Sequence, residues 1–431
     1  MYWKAEYIVL IVLSTIIDYT AAIRIHDSNR ESTRKTWMAI SLAGNLGLLG
    51  FFKYYNFFNT SFGQHFPLSE LLLPAGISFY TFQTLSYTLD VYRRRMQPER
   101  HFGRFALFVS FFPQLVAGPI ERAGNLVPQL RVFDDIRYTD LRAGLQRMVI
   151  GLFKKVVIAD RLAIVANTVY ADPRRFSGPQ LTLATLFFGI QIYCDFSGYS
   201  DIAIGSARIF GVSLMENFNR PYNARSISEF WSRWHISLST WFRDYVYIPL
   251  GGNRTAPPRV VFNLLVTFLI SGLWHGANWT FAIWGAFHGS LLVVERFFAP
   301  ALNKWENRWG LTAKVSRWAA TFLLVMAGWA MFRANNLSDA IAIFTNLTSG
   351  WTSFDPIRDL SGLGLTKTFM AWSLFVILAL GGTHILEHRV YMVDWLEKHM
   401  IARWSFYMAL LIVIVIMGVN GSESQFIYFQ F

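Results

Sequence analysis

The sequence predicts an all-α, polytopic integral membrane protein, one domain over residues 1–431. Three observations carry this. The chain is 53% hydrophobic and 17% aromatic but only 15% charged, against about 25% charged for a soluble domain. Apolar runs recur along its whole length, and its mean hydropathy is +0.32. Lysines and arginines gather between those runs, where membrane proteins keep their cytoplasmic loops.

The candidate spans, in order, are Tyr7–Ile23, Trp37–Phe57, Leu71–Leu89, Phe105–Ile120, Leu145–Ala166 and Leu181–Tyr193. Ile202–Phe210, Val260–Leu273, Phe281–Phe298, Ala319–Phe332, Phe369–Leu386 and Trp404–Val419 follow. Several are shorter than the ~20 residues a simple spanning helix needs, so some are tilted, broken or re-entrant. Pro74, Pro113 and Pro119 inside apolar stretches agree with this. Broken helices at membrane depth need protein or a water-filled cavity over the freed backbone.

Orientation follows from the loops. Arg24, Arg30, Arg34 and Lys35 lie between the first two spans, and Arg93, Arg94, Arg95, Arg100 and Arg104 after the third. The stretch Asn59–Glu70 has no lysine or arginine. The first two loops are therefore expected in the cytoplasm and the third outside. Met1 leads almost directly into apolar sequence with no small-residue cleavage site, so no removable signal is expected. The single cysteine, Cys194, excludes an internal disulfide and reads as a small buried residue, with lipidation as the alternative.

A net charge of +12 and a pI near 9.8 invite a nucleic-acid reading. The distribution of the basic residues argues against it, because no soluble basic-aromatic module is present to read bases. The expected partner is the lipid bilayer.

The longest stretch without a span is 211–259, expected to be interfacial or re-entrant. Its aromatics Phe230, Trp231, Trp234, Trp241, Phe242 and Tyr245 recur near helical spacing, which suits a helix at the interface with Arg233, Arg243 and Arg254 near headgroups. An aromatic belt explains most of these residues but not His235, since an anchor gains little from an imidazole. A second histidine, His275, closes the apolar run Val260–Leu273 within Gly-Leu-Trp-His-Gly-Ala-Asn-Trp. A titratable ring at membrane depth is costly to bury and marks a functional site by default; the alternative is a catalytically idle histidine at a helix end, bonded to a carbonyl. The two histidines are 275 − 235 = 40 residues apart with one span between them. Facing one cavity, they could deprotonate a hydroxyl and orient an acyl thioester.

Other groups have competing readings. Asp195 and Asp201 flank Ser197, Gly198 and Ser200 where an apolar run breaks. They read either as a helix stop with Asp201 capping the next span, or as carboxylates that orient an imidazole. Trp234 and Asn278, beside the two histidines, join Asp195, Ser197, Asp201, Arg233, Arg243 and Arg254 as candidate substrate contacts. His288 is expected to bond within the bundle. His384-Ile-Leu-Glu387-His388 fits a zinc-peptidase pattern, but no third ligand follows and the pair closes a span before Arg389. No metal is expected.

Trp-Ser-Arg-Trp-His-Ile-Ser-Leu-Ser-Thr-Trp-Phe-Arg-Asp-Tyr around His235, with Ser-Gly-Leu-Trp-His-Gly-Ala-Asn-Trp around His275, resembles the membrane-bound O-acyltransferase (MBOAT) family. Leu73–Gln83, Tyr193–Asp201 and Phe426–Phe431 match as well, and the similarity is nearest to the membrane subunits of bacterial alginate O-acetyltransferases. The resemblance implies a ring of roughly ten to twelve spanning or broken helices around a central tunnel. It implies His275 as the catalytic histidine and His235 as the second. Relatives of this branch begin with one or two further apolar segments before the stretch matching Trp3–Asp18, so the sequence is expected to start late.

The expected function is transfer of acetyl groups toward hydroxyls of an exported polysaccharide such as alginate, at the bacterial cytoplasmic (inner) membrane. The donor is a cytoplasmic thioester, acetyl-CoA or an acyl carrier protein; no tightly bound cofactor is expected. Both donors are anionic, so the basic residues attract either. An extracytoplasmic O-acetyltransferase partner is expected. The open alternatives are D-alanyl, peptidoglycan or cellulose acyl transfer on the same fold, a transporter or flippase of an acyl or saccharide carrier, and an inactive scaffold.

Overall fold

The computed structural model describes residues 5–431, apart from 69–72, 75, 117, 133–134, 362, 364, 390–397, 419–425 and 427–431. Among the described residues the chain is helical, without strands. α1 (Ile8–Asp27), α2 (Glu31–Leu49), α3 (Tyr55–Ser61) and α4 (Ile77–Tyr92) come first, with a π-helical turn, Gly50–Tyr54, between α2 and α3. Then come α5 (Phe102–Ser110), α6 (Ala123–Gln129) and α7 (Tyr138–Leu152). A second π turn, Phe153–Ala159, leads into α8 (Asp160–Ala171). The middle of the chain holds α9 (Gly178–Ile209), α10 (Ile227–Arg233), α11 (Ile236–Phe242), α12 (Pro257–His275) and α13 (Trp279–Arg333). α14 (Leu337–Asn346), α15 (Pro356–Ser361), α16 (Lys367–Arg389) and α17 (Met400–Met417) complete it.

Five described helices, α1, α9, α12, α13 and α17, are long and apolar enough to cross a membrane. The protein is a multi-pass membrane protein, as the hydropathy predicts. The helices differ from the expected spans in several places, among them Leu145–Ala166, which the second π turn interrupts. The span Trp37–Phe57 is interrupted by the π turn at Gly50, and Phe105–Ile120 is helical only to Ser110. Leu181–Tyr193 and Ile202–Phe210 are not separate: α9 runs unbroken for 32 residues through Asp195 and Asp201, so neither stops a helix and Asp201 is not a cap. Each carboxylate is matched by a basic side chain, as shown below, which removes the reason for a break.

Contacts divide the chain into two compact units. One comprises Met1–Leu145, Ala203–Asn217 and Ser237–Leu250. In it the fully buried carboxylate of Asp18 on α1 accepts hydrogen bonds from Ser41 and Asn45 on α2, the latter at 2.9 and 2.8 Å. Thr84 on α4 donates to the Asn45 carbonyl at 3.2 Å. A polar knot thus joins three apolar helices, as buried groups in a bilayer require. Glu99, in the loop before α5, is clamped by Arg131 through two bonds of 2.9 and 2.8 Å and by Arg104 at 3.3 Å.

The second unit comprises Gln146–Ile202, Phe218–Ile236 and Gly251–Phe431. α9 has no single apolar face and is largely buried, as expected for a helix at the centre of a bundle. Cys194 is fully buried on it, which leaves no access for lipidation. α13, 55 residues long, is two arms joined at Gly310, whose φ of 51° and ψ of −119° reverse the chain. The arms meet on both sides of the bend. Glu306 pairs with Arg317 near it, and the Asn278 amide donates to Asn335 O at 2.9 Å where the two ends come back together. The expected spans Phe281–Phe298 and Ala319–Phe332 are these two arms.

Candidate active site

His275 is the last residue of α12, and glycines hold it in place. A Cβ on Gly272 would stand 2.2 Å from Phe281 O and 3.1 Å from the Gly285 backbone; one on Gly285 would stand 2.3 Å from Phe268 O. α12 and the first arm of α13 therefore touch backbone to backbone, an approach only glycine allows. One turn beyond Gly272, the His275 ring is buried among Trp274, Trp284 and Phe332, with centroids 5.0, 5.1 and 5.3 Å away. Asn278 caps α13, its side chain accepting from Thr280 N at 3.1 Å. The placement of Asn278 is thus a helix start and a hairpin closure, seen in the bond to Asn335.

His235 stands at the break between α10 and α11. Its backbone is left-handed, with φ of 44°. That conformation is uncommon outside glycine and is found at positions held for function. The ring is fully buried, edge-on to Phe196 of α9 at 4.6 Å and 6.1 Å from Trp274. Both histidines thus pack against one indole. Burial disfavours the charged form of the His235 ring and lowers its pKa.

The aromatics between Phe230 and Phe242 are not interface anchors. Phe230, Trp231, Trp234, Trp241 and Phe242 are all buried in protein. Trp234 packs on Phe230, Phe218 and Trp329, with centroids 5.6, 5.1 and 4.8 Å away. A helical aromatic period looks the same for a core face as for an interfacial one, so the pattern alone does not separate them.

Asp195 and Asp201 are brought together with basic residues. Asp195 is 2.6 Å from Lys155 Nζ, and Asp201 is 3.0 Å from Arg147 Nε and 2.7 Å from Lys154 Nζ. Lys155 also pairs with Asp160 at 2.8 Å. Ser197 is buried on α9, its hydroxyl without a hydrogen-bond partner among the described residues. Arg233 pairs with Glu229 at 2.6 Å and Arg243 with Asp244 at 2.8 Å, while Arg254 is exposed. The side chains of His384, Glu387 and His388 lie outside the described residues.

Arg147, Lys154 and Lys155 are the residues that sequence reasoning passed over. The available signal was three basic residues in or beside the apolar run Leu145–Ala166, a costly position that calls for nearby carboxylates. The π turn there presents Lys154 and Lys155, neighbours in sequence, to carboxylates six residues apart on α9.

Residues 99–334 match the model of the family described as MBOAT, membrane-bound O-acyltransferase family. The chain is similar to the probable alginate O-acetylase AlgI of Azotobacter vinelandii, 42% identical over 397 residues covering 88% of this chain and 77% of the relative. It is similar to the peptidoglycan O-acetyltransferase of Helicobacter pylori, 39% identical over 376 residues, 80% of this chain and 71% of the relative. The teichoic acid D-alanyltransferase of Bacillus subtilis is 29% identical over 285 residues, 62% of this chain and 70% of the relative. The matched region includes both histidine motifs, the glycine-packed turn of α12 and α13, and the paired lysines. This chain is an acyltransferase and belongs to the membrane-bound O-acyltransferase family.

Proposed function

We propose that the protein moves acetyl groups from a cytoplasmic thioester toward hydroxyls of an exported polysaccharide of the alginate kind, at the bacterial inner membrane. The names of its relatives support acetyl transfer and a polysaccharide acceptor. The observation that carries the mechanism is the packing of His235 and His275 against the same indole, Trp274, in a buried aromatic setting. His275 takes the proton of the acceptor hydroxyl as its oxygen attacks the thioester carbonyl. The C–S bond breaks as the new C–O ester bond forms, and the proton held by His275 passes to the leaving thiolate. His235, fixed by its backbone, positions the acyl group. The donor, acetyl-CoA or an acylated carrier, reaches His275 through the tunnel that the family resemblance implies.

A carrier that makes no bonds is not favoured, because transport alone has no use for paired histidine motifs. The test is turnover by purified protein in nanodiscs with [14C]acetyl-CoA, and then with an acetylated carrier protein. The acceptors are alginate and peptidoglycan fragments. Ester-linked label on alginate, lost in His275→Ala, is the expected result. Label on peptidoglycan alone would move the acceptor to the reading the Helicobacter relative suggests. No thioester turnover with any pair would overturn the proposal.

A further inference from the structure

Three nitrogen-bearing rings next to His275 have no part in the chemistry above. Trp231 on α10 packs edge-on to His288 and to Trp284 on α13, at 5.0 and 5.5 Å. Trp284 and His288 are 4.9 Å apart, and His275 adjoins the same group through Trp284. All three rings are at least nine-tenths buried, at 9, 1 and 1% exposure for Trp231, Trp284 and His288. The Nε1 of each indole and the Nδ1 of His288 have no hydrogen-bond partner among the described residues. His288 was expected to bond within the bundle; among the described residues its ring packs edge-on to Trp231, Trp284 and Phe287. The return arm of α13 is shaped to admit it: a Cβ on Gly328 would come within 2.6 Å of His288 Nε2.

Buried donors are met almost without exception, because an unmet one forfeits its whole hydration. Neighbouring ring faces accept N–H groups only weakly. An indole N–H can donate and cannot accept, so two of the three groups require an acceptor atom. Two of the three rings are indoles, which carry no charge and offer only an N–H, so the set suits a neutral acceptor.

We propose that Trp231, Trp284 and His288 form a binding site for a neutral oxygen-bearing group of a substrate, held one indole away from His275. The oxygen is either the acyl carbonyl of the donor or a hydroxyl or ether oxygen of the saccharide acceptor. The inference deepens the acyl-transfer reading and rests on it. These are positioning residues: they hold the reactant and leave the proton transfer to His275.

The experiment is steady-state kinetics in nanodiscs with acetyl-CoA and an alginate oligosaccharide, or with the acetylated carrier if that is what the wild type uses. The variants are His288→Leu, His288→Asn and Trp231→Phe. The expected result is a KM raised about tenfold for one substrate in His288→Leu and Trp231→Phe, with the pH profile unmoved. His288→Asn, which keeps a donor, should recover part of the loss. A rise for acetyl-CoA assigns the carbonyl; a rise for the oligosaccharide assigns the sugar oxygen. Unchanged KM for both in folded variants would overturn the site and leave the rings as packing. If Trp231→Phe fails to fold, benzothienylalanine at 231 keeps the ring shape without the N–H, and an unchanged KM there is equally decisive against the site. Failure of the underlying reading is distinct, because His275→Ala would then retain full turnover.

Discussion

The carboxylate of Asp195 lies 2.6 Å from Lys155 Nζ, both in the interior of the α9 unit. This pair, with Asp160 and with Asp201, Lys154 and Arg147 beside it, neutralises six charges at membrane depth. Removing one partner of such a pair leaves an uncompensated charge, at roughly 3–5 kcal/mol. Lys155→Met should therefore lower the thermal midpoint sharply in detergent. Lys155→Met combined with Asp195→Asn should recover part of the loss. A single variant as stable as wild type would show that the network contributes nothing to folding.

The two histidines should behave as one unit. A general base typically contributes ~10²–10⁴-fold, so His275→Ala should nearly abolish transfer without unfolding the protein. His235→Ala should impair it less, and the double variant should be scarcely worse than His275→Ala. Multiplicative losses in the double variant would mean that the two rings act independently.

Gly272→Ala tests the backbone contact that positions His275. The added methyl meets Phe281 O at 2.2 Å, so α12 and α13 must part. Overpacking of this kind costs about 1–3 kcal/mol, and kcat should fall more than KM rises because the imidazole is displaced. Activity at the wild-type level would show that the close approach is not needed.

Glu99 gives a pH signature. Burial raises its pKa, but the bond from His101 N and the pairs with Arg131 and Arg104 outweigh that and hold it below the usual carboxylate range. A lowered folded value means stability that is present above the unfolded pKa, about 4.3, and is lost as pH falls through the folded one. Glu99→Gln should thus be less stable than wild type at neutral pH, with the gap closing on acidification. A gap that is constant with pH would assign the effect to packing.

Of Arg233, Arg243 and Arg254, only Arg254 is both exposed and outside an ion pair among the described residues. Arg254→Gln should raise donor KM severalfold at low salt and less as salt screens the field. Arg233→Gln and Arg243→Gln, whose charges are already met by Glu229 and Asp244, should change it little. Equal effects for all three would point to overall surface charge.

The spanning helices were legible in hydropathy because the bilayer imposes a length on apolar sequence. The two histidines stood out as candidates because a titratable ring is costly to bury in an apolar setting and each sits in a long aromatic motif. What escaped was whatever depends on partners distant in sequence. Asp195 and Asp201 looked like helix stops because nothing local reveals Lys154 and Lys155 behind them. The aromatics around Trp234 fit a lipid interface or a protein core equally well until Phe218 and Trp329 are seen against them. Gly272 and Gly285 carry no periodic signal, yet their missing side chains set the position of His275.

The length of α12 bears on what the reaction accomplishes. Arg254 and Arg259 stand at its start and His275 is its nineteenth and last residue. At 1.5 Å per residue that is about 28 Å, nearly the ~30 Å apolar thickness of a bilayer. Lys304, Arg308, Lys314 and Arg317 cluster at the α13 bend, and Arg296 donates to Asn253 at 2.9 Å, so the bend lies at the same end as the start of α12. By the charge rule that end faces the cytoplasm and His275 sits toward the far side. If the donor is cytoplasmic, as proposed above, the bond change itself would release the acyl group toward the far side, and the proposed transfer would be vectorial, with no separate translocation step.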